Sequence, residues 1–107
     1  MIEIKKKTKT RDKTRKPKLY KVLMYNDNYT TMDFVVSILK TVFNKSEEEA
    51  VDIMLKIHNS GVGLCGIYPF DIAATKVEIV HFLAEKNSFP LKCSVEPEQE
   101  LSWLLKI

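Results

Sequence analysis

The side chains of this 107-residue chain best suited to hold a cation or pass a proton are Asn26, Asp27 and His58. Met54, Ile57 and His58 stand at i, i+3 and i+4, so a helix would place them on one face, and Met32 and Val35 share a face at the start of an earlier helix. If the Asn26-Asp27 turn lies at the end of that helix pair, an apolar cavity is rimmed by a carboxylate, an amide oxygen and an imidazole. Acceptors at the mouth and a greasy interior suit a cation joined to an apolar side chain, and the α-ammonium group of a bulky N-terminal residue has that shape. The competing reading makes the two methionines plain core among branched aliphatics.

Other chemistries find less support. Nucleophilic catalysis needs Ser or Cys beside a base and an orienting acid; His58 and Asp27 supply only the last two, and no Ser or Cys sits in a nucleophile motif. His58 and His81 are separated by a helix-strand-helix unit, a poor spacing for metal ligands, and no metal or other cofactor is expected. Gly61-Val-Gly-Leu-Cys-Gly66 matches GxGxxG, but a helix ends into these glycines and a strand follows, the reverse of the strand-turn-helix order that aims amides at phosphate. Helix termination and close backbone packing are the roles expected of them.

The elements that must position these residues are legible from periodicity. Leu19 to Tyr25 is rich in β-formers and ends at the turn-forming Asn26-Asp27-Asn28. Thr30 stands before Asp33 as in a capping box, and the apolar spacing from Phe34 to Phe43 predicts a helix over Thr31 to Asn44. Ser46 and Glu49 form a full capping box for a second helix that should stop near Gly61. Leu64 to Tyr68 reads as a strand, Asp71 as the cap of a third helix ending at Asn87 to Pro90, and Leu91, Cys93 and Val95 alternate as a strand with one wet face. The order βααβαβ with short links predicts an α+β domain, its three helices packed on a small three-stranded antiparallel sheet.

Composition sets the outer limits. With 45% hydrophobic and 29% charged residues the chain suits one compact domain. No apolar run approaches the roughly 18 residues that span a bilayer, and the Lys-rich start lacks a signal's apolar segment, so the chain reads as soluble and unexported. Cys65 and Cys93 form no CxxC pair, which leaves two reduced, buried thiols as the expectation. The net charge of +3 is +8 over residues 1–21 joined to −5 over the remainder. Residues 1–18 hold too few apolar side chains to offset the entropy of ordering and read as a disordered basic arm. Such an arm usually serves as a solvated tether, and without interleaved aromatics it lacks stacking platforms for single-stranded nucleic acid. Residues 98–107, ending in Leu101-Ser-Trp-Leu-Leu-Lys-Ile107, form an apolar extension too short to span a membrane.

Three segments, YKVLMYNDNYTTMDFVV, EAVDIMLKIHNSGVGLCGIY and ATKVEIVHFLAEKNSFPLKCSVE, resemble in order and interval the ClpS family, adaptors that recognise N-terminal degradation signals for an AAA+ unfoldase of the ClpA or ClpC type. The similarity runs from Leu19 to Glu96, and residues 19–97 are taken as the adaptor domain. It implies an α+β fold of three helices and three antiparallel strands, no catalysis, and a monomer in the cytoplasm or, as a second option, an organellar stroma. It further implies that Asn26, Asp27 and His58 hold the α-amino group of a substrate beginning with Phe, Leu, Trp or Tyr. Met32, Val35, Met54, Ile57 and Leu91 would line the side-chain pocket, with Thr30 at its rim. Asp71, Thr75 and Lys76 match the surface presented to the unfoldase's N-terminal domain. Asn28 stands where many relatives have Asp, and Ala74 replaces a usual Glu. The alternative function is a nucleic-acid or ribosome-associated module acting through the basic arm.

Overall fold

A computed structural model describes residues 17–98; most of the basic arm and the apolar extension lie outside the described residues. Within them the chain forms β1 (Leu19–Tyr25), α1 (Met32–Thr41), α2 (Glu47–Ser60), β2 (Val62–Pro69), α3 (Phe70–Lys86) and β3 (Lys92–Pro97). The strands make one antiparallel sheet in the order β2-β1-β3, with α1 on α2, α2 on β2, and α3 across all three strands. This is the α+β architecture expected from the sequence. No helix among the described residues is long and apolar enough to cross a membrane.

The alternation of β1 decides what the sheet buries. Val22 and Met24 point to the helices with Cys65 of β2 and Cys93 of β3, and all four are buried with Ile38, Leu39, Ala50, Ala73 and Val80 in one cluster. Both cysteines are free thiols, and burial pushes Cys65 up to about 12. Because β1 is paired on both sides, its last residue Tyr25 sits opposite Val62 of β2 and Lys92 of β3. The chain therefore leaves the sheet at Asn26 between the end of α2 and the start of β3. His81 reinforces that corner: its Nε2 accepts from the Cys93 N–H at 3.0 Å, tying α3 to β3.

Helix ends differ from the sequence reading at three points. Thr31, not Thr30, caps α1, its Oγ1 accepting from the Phe34 N–H at 3.1 Å. Thr30 is unavailable because it bonds to Asp27, as described below. Asp71 does not cap α3: Pro69, fixed at φ −57°, takes that position without a side-chain bond, and Asp71 lies in the first turn, where it complements the helix dipole. Helix α1 is also shorter than its apolar spacing suggests. It ends at Thr41, and Asn44 takes a left-handed φ of 56°.

The cap of α2 is as expected. Ser46 Oγ accepts from the Glu49 N–H at 3.1 Å, and Glu49 Oε1 accepts from the Ser46 N–H at 2.9 Å. Gly61 closes the other end at φ 89°, which lets the chain reverse directly into β2. Ser46→Ala is expected to lower stability by about 1 kcal/mol in urea unfolding, with a smaller effect on ligand affinity because the cap lies at the far end of α2 from His58.

Candidate functional site

The turn after β1 is built by Asp27. Its Oδ1 accepts from the Tyr29 N–H at 2.8 Å and the Thr30 N–H at 2.7 Å, and Oδ2 accepts from the Thr30 hydroxyl at 2.7 Å. Short polar side chains fold backbone this way in Asx turns. Partial burial pushes the Asp27 carboxyl up, but the bonds from Thr30 and Tyr29 together outweigh it and hold the group below its ordinary 3.8. The turn thus carries a fixed negative charge. One further bond locks it in place, from the Asn26 N–H to the Gly61 carbonyl at 2.9 Å, so that Asn26 is held against the last turn of the helix that carries His58.

Between this turn and the helix pair lies a cavity of about 230 Å³. The turn contributes Asn26, Asp27, Asn28 and Thr30, α1 contributes Met32 and Val35, and α2 contributes Met54, Ile57 and His58. Val35 and Ile57, 7% and 3% exposed, are the buried part of the lining, whereas Met32 is 46% exposed and Met54 half-buried. Met24, at 0%, is the methionine of the deep core; Met32 and Met54 face open space. Met32 is thus a surface wall and not core, whereas Met54 does both, lining the cavity and packing against the buried cluster.

Eight of the nine residues named for an N-terminal amine and its side chain come together here. Leu91 does not: it is 4% exposed, packed in the same buried cluster as Val35 and Ile57, and is not part of the lining. Immediately before β3 its apolar side chain turns into the core. Asn28, the position where many relatives have Asp, joins the lining beside Asp27 and makes that mouth less negative than a second carboxylate would.

The cavity's polar side can accept hydrogen bonds at the Asp27 carboxylate, the amide oxygens of Asn26 and Asn28, and the His58 imidazole in its neutral form. Its apolar side can take a large side chain. Polarizable, unbranched methionine suits a wall that must fit several shapes. Nothing in this set resembles a nucleophile with its base.

The three residues expected at a partner surface separate in the structure. Asp71 and Thr75, spaced i and i+4, are exposed on one side of α3. Lys76 turns inward: its Nζ donates to the Val42 carbonyl at 2.7 Å and lies 5.2 Å from the Tyr68 ring centroid and 5.8 Å from that of Phe43. It thereby ties the first half of α3 to the end of α1.

Residues 15–94 match the family described as ATP-dependent Clp protease adaptor protein ClpS. Relatives named as the ATP-dependent Clp protease adapter protein ClpS include that of Desulfatibacillum aliphaticivorans, 55% identical over 85% of this chain and 88% of the relative. That of Desulfotalea psychrophila is 58% identical over 79% of this chain and 83% of its own. Among solved structures, Agrobacterium tumefaciens ClpS2 bound to L-phenylalaninamide is 40% identical and superposes with a TM-score of 0.75, covering 78% of this chain and 100% of its own.

Proposed function

The chain belongs to the ClpS family of ATP-dependent Clp protease adaptors, and from that premise we propose that it selects substrates by a free N-terminal residue with a bulky hydrophobic side chain, for delivery to a Clp unfoldase. The observation that carries this reading is the single cavity in which the Asn26-Asp27 turn and His58 rim a wall of Met32, Val35, Met54 and Ile57. L-phenylalaninamide, the ligand in the ClpS2 relative, is itself a free α-amine on a Phe side chain whose carboxyl is an amide, as in a peptide.

In this reading the α-ammonium group donates to Asp27, Asn26 and neutral His58, with Thr30 holding the Asp27 carboxylate in position. The side chain of Phe, Leu, Trp or Tyr enters between the two methionines, while Ile or Val, wide at Cβ, fits less well. Burial of such a side chain contributes roughly 1.5 to 3 kcal/mol. Each hydrogen bond from the ammonium adds about 1.5 to 3 kcal/mol, and association entropy removes much of the sum. Affinity near 1 μM, roughly −8 kcal/mol, is the expected scale. The unfoldase, of the ClpA or ClpC type, docks through its N-terminal domain on the Asp71 and Thr75 side of α3, which Lys76 braces from within. The chain acts as a monomer and catalyses nothing itself.

Fluorescence anisotropy with an N-terminal Phe peptide and its acetylated twin tests the proposal. Acetylation removes the charge and two of the donors while leaving the side chain intact. The acetylated peptide is expected to bind roughly thirtyfold more weakly, about 2 kcal/mol. Equal affinity for the two would remove the mechanism.

A further inference from the structure

The three helices pack on one face of the sheet, where Val22, Met24, Cys65 and Cys93 are buried, and leave the other face without a layer among the described residues. An antiparallel sheet can stand with one face in water when that face is polar. Here only half of it is. The register sets Tyr25 beside Val62, Leu23 beside Leu64 and Lys21 beside Ile67, so the β1–β2 half of the open face is an apolar strip broken by one lysine. Val62, Leu64 and Ile67 are 38%, 44% and 38% exposed. The β3 half is polar: Lys92, Ser94 and Glu96 stand opposite the same three β1 residues, and Ser94 Oγ lies 2.7 Å from the Tyr25 hydroxyl.

A contiguous apolar patch on a domain surface marks a contact site, and the chain itself carries a segment that matches this one. β3 ends against the start of β1: Pro97 is paired with Tyr20, and the Glu98 N–H donates to the Leu19 carbonyl at 3.0 Å. Residues 99–107, outside the described residues, therefore set out from the edge of this sheet. In their sequence Leu101, Trp103, Leu105 and Ile107 alternate with Ser102, Leu104 and Lys106, a period of two with one wholly apolar side. An extended chain advances about 3.3 Å per residue and neighbouring strands lie about 4.8 Å apart. Residues 99–107 thus reach about 30 Å, whereas the strip from Ile67 to Val62 is about 17 Å long and begins two strand spacings from β3, about 10 Å.

The exposed aromatics of α3, by contrast, already have partners. Lys86 Nζ lies 5.7 Å from the Phe82 ring centroid, and Phe70 meets Tyr20 edge-on at 5.1 Å. Both stand on the helix that packs on the opposite face of the sheet. We propose that residues 101–107 fold back across the open face and cover the Leu23-Leu64-Ile67 strip, with Trp103 and its alternate neighbours turned inward and Lys106 turned to water. The strip is thereby closed to a second copy of the chain.

Trp103 is the only tryptophan of the chain, so its fluorescence reads the tail directly. In the full chain its emission is expected to lie to the blue of the urea-unfolded protein and its quenching by acrylamide to be several-fold slower, both unchanged on dilution. Leu64→Glu should move emission to the unfolded value and restore fast quenching. Ile67→Thr, which keeps a β-branched residue in the strand and so preserves the fold, should move both part of the way. Phe82→Glu should change neither. Leu101→Glu/Leu105→Glu alters the tail and none of the described elements; it should match Leu64→Glu in emission and increase binding of the apolar dye anilinonaphthalene sulfonate to the uncovered strip. Wild-type emission at the unfolded value overturns the proposal. So does emission that turns red on dilution, which assigns the strip to a second copy, and so does emission that ignores the Leu64 and Ile67 variants, which seats the tail elsewhere, on α3 if Phe82→Glu releases it.

Discussion

Asp27→Ala is expected to weaken binding of an N-terminal Phe peptide by roughly 100- to 1,000-fold, about 3 to 4 kcal/mol. Two losses combine. The carboxylate that would meet the ammonium disappears, and so do the three acceptor contacts that fold residues 27–30. The vacated turn no longer holds Asn26 and Thr30 at the mouth of the cavity, so binding must also supply the ordering that the native turn provides in advance. Asp27→Asn separates the two losses. Its amide oxygen can still accept from the Tyr29 and Thr30 N–H groups while the charge is gone, and a loss of about tenfold is expected, one charge-assisted contact becoming a neutral one. If Ala at this position binds as well as Asp, the turn takes no part in recognition.

The same residue gives an acid limb to stability. Its folded carboxyl lies below the ordinary value of 3.8, so its stabilising contribution is complete above that value and is lost as pH falls through the folded one. Urea unfolding followed from pH 5 downward should show a shallower decline for Asp27→Asn than for wild type. An unchanged slope would mean that the three contacts do not favour the ionised form.

The sequence made the larger architecture readable because its signals do not compete. The alternation of Leu19 to Tyr25, the Ser46-Glu49 box and Gly61 each have one plausible use, and the structure uses them so. The cavity was readable for a related reason: helical spacing alone puts Met54, Ile57 and His58 on one side of α2. Errors arose where two neighbours could do the same job. Thr30 and Thr31 both can cap a helix, and the choice falls to Thr31 because Asp27, three residues back, engages Thr30. Pro69 and Asp71 compete likewise at α3, and the proline's fixed φ starts the helix early.

Leu91 and Lys76 show what one-dimensional reading misses. Leu91 alternates with Lys92 as a strand residue should, but whether it faces the cavity or the core depends on how β3 meets α3 through His81 and Cys93. Lys76 looks like an exposed helix charge until α1 stops at Thr41 and leaves the carbonyl of the following Val42 for it to bond. Both positions are set by contacts between residues far apart in the chain. The nucleic-acid alternative gains nothing from the relatives described above, which are named as protease adapters.

The largest effect on stability is expected at Ile57. It is 3% exposed and lines the cavity, yet it also leans on β2, where a Cβ built at Gly63 would lie 2.5 Å from its Cγ1. Ile57→Ala should cost about 2 to 5 kcal/mol in urea unfolding, the range for truncating a buried aliphatic. It should also deepen the cavity and shift preference from Leu toward Trp at the peptide N-terminus. Gly63→Ala works on the same contact from the other side. The new methyl group has no room unless Ile57, which lines the cavity, gives way; a destabilisation of about 1 to 3 kcal/mol is expected together with weaker binding of large side chains. In Gly63→Ala/Ile57→Ala the crowding vanishes, because the added carbon enters volume that the truncation emptied. The double variant should therefore be more stable than the sum of the single losses implies, by about 0.5 to 3 kcal/mol. Strict additivity would show that the absent side chain at position 63 does not set where Ile57 stands, and the close approach of β2 to α2 would then have no part in shaping the cavity.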